Sequence, residues 1–129
     1  MTNLATLNVS YTHTTDVGMA NLKRLTDLSS LNLDRTQVTD AGLAHLNKLA
    51  KLSELKLNRT RVTDSGLAHV AMLANLSSLE LWETQVTDAG LAYLKGLTKL
   101  STLQLEHTQV SELELLHLRR GLPGLRITR

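Results

Sequence analysis

The chain has 129 residues, 42% hydrophobic and 20% charged, with no Cys, no Phe, one Trp and two Tyr. Lacking Cys, it has no disulfide framework, thiolate metal site or cysteine nucleophile; its net charge of +2, with 14 basic residues interspersed among 12 acidic ones, is too mild to point to a nucleic-acid partner. The opening residues carry no basic and then apolar leader, and no apolar run approaches the roughly 18 residues of a membrane span, so the expectation is no membrane partner and, by default, a cytoplasmic location.

Leu4, Leu28, Leu52, Leu76 and Leu100 each open the pattern Leu-x-x-Leu-x-Leu/Val-x-x-Thr, at a constant spacing of 24 residues. Self-similarity at that period predicts a repeat array in which each unit buries its apolar face against its neighbours. The expected organisation is a single domain over residues 1–129, with repeats starting near 4, 28, 52, 76 and 100 and a terminal strand at 122–127.

The first unit begins with a strand over Leu4 to Val9. Met1 to Asn3 offer it no capping element, so an open sheet edge and uncovered leucines are expected there, to be covered by an upstream segment or by another chain. In the third unit, Leu55-Lys56-Leu57 alternates with period two, whereas Leu67, Val70 and Leu73 recur at the spacing of a helix facing a core. Successive strands of one polarity pair only as a parallel sheet, with helices returning on the other side.

Between strand and helix, Thr39-Asp40, Thr63-Asp64 and Thr87-Asp88 are read as helix N-caps acting within their own repeats. Gly42, Gly66 and Gly90 follow two residues later and point to close approach between units. Thr12, Thr36, Thr60, Thr84 and Thr108 form a column expected to bond the backbone of the turn rather than to present an outward threonine array. The fifth unit departs: Ser111-Glu112-Leu113-Glu114-Leu115 replaces Thr-Asp-Ala-Gly-Leu, as a terminal unit should. Leu113, Leu116 and Leu118 are expected to add apolar surface, and Gly121 and Pro123 to stop the helix.

These residues resemble the leucine-rich-repeat family over nearly the whole chain, from Leu4 to Ile127. The stretch Thr-x-Val-Thr-Asp-Ala-Gly-Leu-Ala-x-Leu is similar to the cysteine-containing subclass found in F-box substrate receptors, and to bacterial arrays of the same type. The resemblance implies a right-handed α/β solenoid with parallel strands on the concave face and helices on the convex face. Where the subclass carries Cys, this chain has Thr36, Thr60 and Thr84, and no F-box-like segment precedes the first repeat. A ubiquitin-ligase substrate receptor is therefore a secondary expectation, beside that of a fragment of a larger receptor or effector.

With strand leucines inward, the residues between them face out in columns: Thr6, Ser30, Glu54, Ser78 and Thr102, then Asn8, Asn32, Lys56, Glu80 and Gln104. A third column holds Ser10, Asp34, Asn58, Trp82 and Glu106, and a fourth Tyr11, Arg35, Arg59, Glu83 and His107. Variation at outward offsets suits a non-enzymatic protein-protein interaction module. Trp82 is its anchor, with Asn58, Arg59, Glu80, Glu83, Glu106, Lys56 and Arg35 completing the partner-binding set. The bland alternative lays the Trp82 ring along the aliphatic stems of Arg59 and Glu106. Arg35, Lys56, Arg59 and Arg61 make one side basic and Glu80, Glu83 and Glu106 the other acidic, which suits a dipolar protein partner or mutual neutralisation.

His45, His69 and His117 share a helix column with Tyr93, but helices 8 to 10 Å apart hold imidazoles too far apart to share one ion easily, so no metal is expected. No cofactor motif and no nucleophile-base set stands out; His107 near Glu106 and Glu83 is the nearest approach to one. The other class of function is a structural or self-assembling array, a homo-oligomer joined through its terminal repeats.

Overall fold

The computed structural model describes residues 3–129. The expectation concerning a cap at Met1 and Thr2 lies outside the described residues. Six three-residue strands, β1 (Thr6–Asn8), β2 (Ser30–Asn32), β3 (Glu54–Lys56), β4 (Ser78–Glu80), β5 (Thr102–Gln104) and β6 (Arg126–Thr128), lie side by side in chain order, all parallel. The register equals the repeat period: Leu7 pairs with Leu31, Leu31 with Leu55, Leu55 with Leu79 and Leu79 with Leu103. Every equivalent side chain thus falls on the same sheet face, and the chain is an α/β leucine-rich-repeat solenoid with strands on the concave side.

Five helical segments line the convex side: α1 (Asp16–Met19), α2 (Asp40–Leu43), α3 (Asp64–Val70), α4 (Asp88–Leu91) and α5 (Glu112–Gly121). Three are a single α turn that tightens into a 3-10 segment, over Ala20–Arg24, Ala44–Lys48 and Ala92–Gly96. The buried residues there recur every third position, as in Leu43, Leu46 and Leu49, a spacing that three residues per turn places in one line. The last strand is also shorter and later than expected. Leu122 to Leu125 form the turn after α5, and only Arg126–Thr128 pair with β5.

One continuous apolar core runs through the stack, with the strand leucines from Leu28 to Leu105 at most 4% exposed. Leu115 and Leu118 join it at the end, so Leu118 is core rather than added surface, while Leu113 (64%) and Leu116 (45%) stay exposed. No single repeat could bury its leucines alone, so stability resides in the junctions between neighbours.

Three hydrogen-bonded ladders run along the stack, two across these junctions and one inside the repeats. Ser29, Ser53, Ser77 and Ser101 each donate their hydroxyl to the backbone carbonyl 24 residues earlier. The threonine column works inside each repeat: Thr36, Thr60 and Thr84 are buried and donate to the carbonyls of Leu33, Leu57 and Leu81 at 2.7 to 2.8 Å. The third ladder corrects the capping expectation. Thr15, Thr39, Thr63 and Thr87 do sit at N-cap positions, but their side chains make no cap bond. Instead, each Asp opens the helix and accepts from the next repeat. Asp40 takes the backbone N–H of Thr63 at 2.7 Å and its hydroxyl at 2.5 Å, and Asp16, Asp64 and Asp88 do the same for Thr39, Thr87 and Ser111. A carboxylate that satisfies one amide and one hydroxyl across a junction ties two units together where a local cap would tie only one.

The glycines belong to this ladder. A Cβ built on Gly42, Gly66 or Gly90 would collide with the carboxylate of Asp16, Asp40 or Asp64. Glycine is required because the neighbouring side chain occupies that space, and none of these glycines has positive φ. Among the described residues only Ser111 caps its own helix, accepting from the Glu114 N–H at 3.2 Å while its hydroxyl serves Asp88.

Candidate functional site

The chain leaves each of β1 to β5 through a left-handed residue: Tyr11, Arg35, Arg59, Glu83 and His107 have φ between 51° and 59°. Non-glycine residues rarely adopt this conformation, and its recurrence in five repeats makes it part of the architecture. It turns the fourth column's side chains along the rim of the sheet, beside the third column.

At the centre of that rim the Arg59 guanidinium carbon lies 4.4 Å from the centroid of the Trp82 ring. The half-buried indole is thus covered on one face by the Arg59 cation. On its other side the His107 ring approaches edge-on, with centroids 6.2 Å apart at 64°. Arg59 Nε also meets Glu83 Oε2 at 2.6 Å, so one guanidinium serves both the indole and a carboxylate. Such a stack holds the indole in one orientation.

The remaining expected residues distribute unevenly. Asn58 is only 8% exposed, and its amide is fully engaged: Nδ2 donates to Glu80 Oε1 at 2.8 Å and Oδ1 accepts from the Trp82 N–H at 2.7 Å. It therefore supports Trp82 from below rather than facing outward. Lys56 Nζ stands 3.9 Å from Glu80, so the basic and acidic halves of the face neutralise each other across the β3–β4 junction. Glu106 accepts from the Thr128 hydroxyl at 2.8 Å. Arg35 lies apart, 4.8 Å over the exposed Tyr11 ring, in a second, smaller cation-aromatic pair.

His107 and Tyr11 were outside the partner-binding set expected from sequence, although both occupy the fourth column. The signal was there: that column turns toward the third, so the residue one repeat ahead of Glu83 meets the residue beside it. Among the described residues no group of three or more His, Asp or Glu could hold a metal ion, and no helix is long and apolar enough to cross a membrane. His117 stands 3.5 Å from Glu114 on its own helix, far from the concave rim.

No protein-family model matches the chain, and no curated protein matches it in sequence. Solved structures do match. A leucine-rich-repeat protein of Leptospira interrogans superposes with a TM-score of 0.71 at 20% identity, covering 99% of this chain and 38% of its own length. An internalin of Listeria monocytogenes gives 0.59 at 19% identity, covering 98% of this chain and 48% of that one. An internalin C2 from the same species gives 0.57 at 23% identity, over 95% and 69%. The chain spans less than half the length of the first two. The architecture they share with it is the leucine-rich-repeat solenoid.

Proposed function

We propose that this chain is a protein-binding module that docks a protein partner on its concave rim, with Trp82 as the anchor. The observation that carries this reading is the Trp82 stack: the sole Trp, with the Arg59 cation over its face and the His107 ring at its edge. Arg59, Glu83 and Glu80 form the charged border, and Lys56, Glu106 and Arg35 extend it along the sheet. Asn58 positions Trp82 through the 2.7 Å bond to its backbone. A pre-oriented aromatic bordered by both signs of charge suits a partner that offers an apolar side chain between charged neighbours.

The test is capture by the immobilised chain from a cell extract, comparing wild type with Trp82→Ala, Arg59→Ala and the convex control Tyr93→Ala. Partners held through the rim are lost at least about 30-fold with Trp82→Ala, since a hot-spot truncation costs about 2 kcal/mol or more. They persist with Tyr93→Ala. Equal capture by all four proteins removes the rim as the site.

Self-association is the second reading, favoured by the exposure of Leu113 and Leu116 on α5. Light scattering separates the two: a dimer that survives Trp82→Ala and dissociates with Leu116→Glu supports assembly through the last repeat.

A further inference from the structure

Among the described residues, the outer face of the first repeat is an unfilled copy of the junctions inside the array. Leu4, Leu7, Val9, Leu22 and Leu25 are only partly buried, whereas their equivalents Leu28, Leu31, Leu33, Leu46 and Leu49 are at most 1% exposed. β1 ends the sheet with one edge unpaired among the described strands.

The polar fittings identify what belongs there. At every interior junction a Thr or Ser offers its amide and hydroxyl to the Asp of the preceding repeat. At three of them a Gly three residues on leaves room for that carboxylate. The first repeat carries both parts. Thr15 occupies the Thr position, and among the described residues its amide and hydroxyl make no hydrogen bond. Gly18 occupies the Gly position, yet a Cβ there would meet nothing closer than the Thr14 methyl at 3.6 Å. It lacks positive φ, and glycine in a helix costs about 1 kcal/mol against Ala, so within the described residues it serves no purpose.

The opposite end is finished differently. Glu112 stands in the Asp position and is ion-paired with Arg129, which also donates to the Val110 carbonyl at 2.7 Å. Glu114 stands in the Gly position. Asp88, the last Asp of the column, is already on Ser111. A second copy of this chain stacked head to tail would bring no Asp to that position, only a Glu already paired with Arg129.

We infer that the outer face of the first repeat is a docking site for a further leucine-rich-repeat unit carrying the Thr-Asp turn of the interior repeats. Its carboxylate seats on Thr15 beside Gly18, its strand pairs with β1, and its leucines cover Leu4, Leu7 and Leu22. The inference is independent of the proposed role of Trp82.

A copy of residues 28–51 inserted directly before Leu4 of the full chain is a probe repeat that keeps the register and places its Asp on Thr15. Thermal unfolding is measured with and without the probe, each with and without Gly18→Ala. The probe raises Tm by roughly 5 °C or more. Gly18→Ala leaves the unextended chain within about 2 °C of wild type, or above it, but lowers the extended chain by several degrees, because only there does the methyl meet a carboxylate. Changing the probe's Asp to Ala makes Gly18→Ala harmless again. The inference is overturned if the probe gives no gain in Tm, or if Gly18→Ala shifts both chains equally. It is also overturned if the unextended chain is a dimer that Leu22→Lys renders monomeric, since a second copy then occupies the face.

Discussion

Two sets of contacts between repeats meet across the same sheet, and they differ in kind. On the convex side the Asp-to-Thr ladder recurs at four successive junctions with nearly constant geometry and a glycine fitted to it at three. On the concave rim the Arg59–Trp82–His107 stack occurs once, in side chains that change from repeat to repeat. A contact that repeats answers to the stacking of units, whereas a singular contact at an outward position is free to answer to a partner. Stability should therefore follow the first and binding the second.

The largest expected effect tests whether glycine and aspartate act as one device. Gly42→Ala should destabilise by about 1 to 3 kcal/mol, since the methyl displaces a carboxylate that leaves two donors of Thr39 unpaired. Asp16→Ala should lose a similar amount. The double variant should lose little more than Asp16→Ala alone, because the carboxylate is gone and only the Val38 methyl remains near the new Cβ; urea denaturation that returns a simple sum would uncouple them.

An intermediate effect concerns acid. The amide and hydroxyl of Ser111, aided by the Arg129 charge, hold the Asp88 carboxyl below its ordinary pKa. A depressed folded-state value contributes stability that is present above the unfolded-state pKa and lost as pH falls through the folded one. The contribution of this junction should thus be constant near neutrality and fade below about pH 4. Denaturation of Asp88→Asn across that range should show a shallower acid loss than wild type; identical slopes would detach Asp88 from acid stability.

The smallest effect belongs to the rim. Arg59 and Glu83 are 35% and 37% exposed, so their ion pair is screened, and Arg59→Ala should change stability by less than about 1 kcal/mol. A larger loss in urea would place the stack with the scaffold, erasing the distinction drawn between the two contact sets.

The strand columns were legible because period and register are the same number: a leucine at every 24th position can align only with its own copies. The glycine column was legible as a sign of close approach, but the approaching atom was not. Thr-Asp at a helix start has a sufficient local meaning as a cap, and nothing within one repeat shows that the carboxylate bonds the next one. The rim was legible as a set of offsets: Trp82 could be placed on the outer face from its neighbours. Its contact with Arg59 depends on the left-handed backbone at the rim, which the column does not announce, since it holds no glycine or asparagine and Tyr, Arg and Glu disfavour that conformation. Asn58 shows the limit most plainly, a polar residue at an outward offset that is buried by its bonds to Glu80 and the Trp82 backbone in the next repeat.

The uniform register has a mechanical consequence. Each strand is bonded only to its immediate neighbours, and the hydrogen bonds point along the axis of the stack. A force drawing the two ends apart would load one junction at a time in an opening rather than a sliding mode. Each rupture would free one 24-residue unit, about 80 Å of chain when extended. Under tension such a molecule yields in short, near-equal steps, letting out length while the remaining junctions keep their shape.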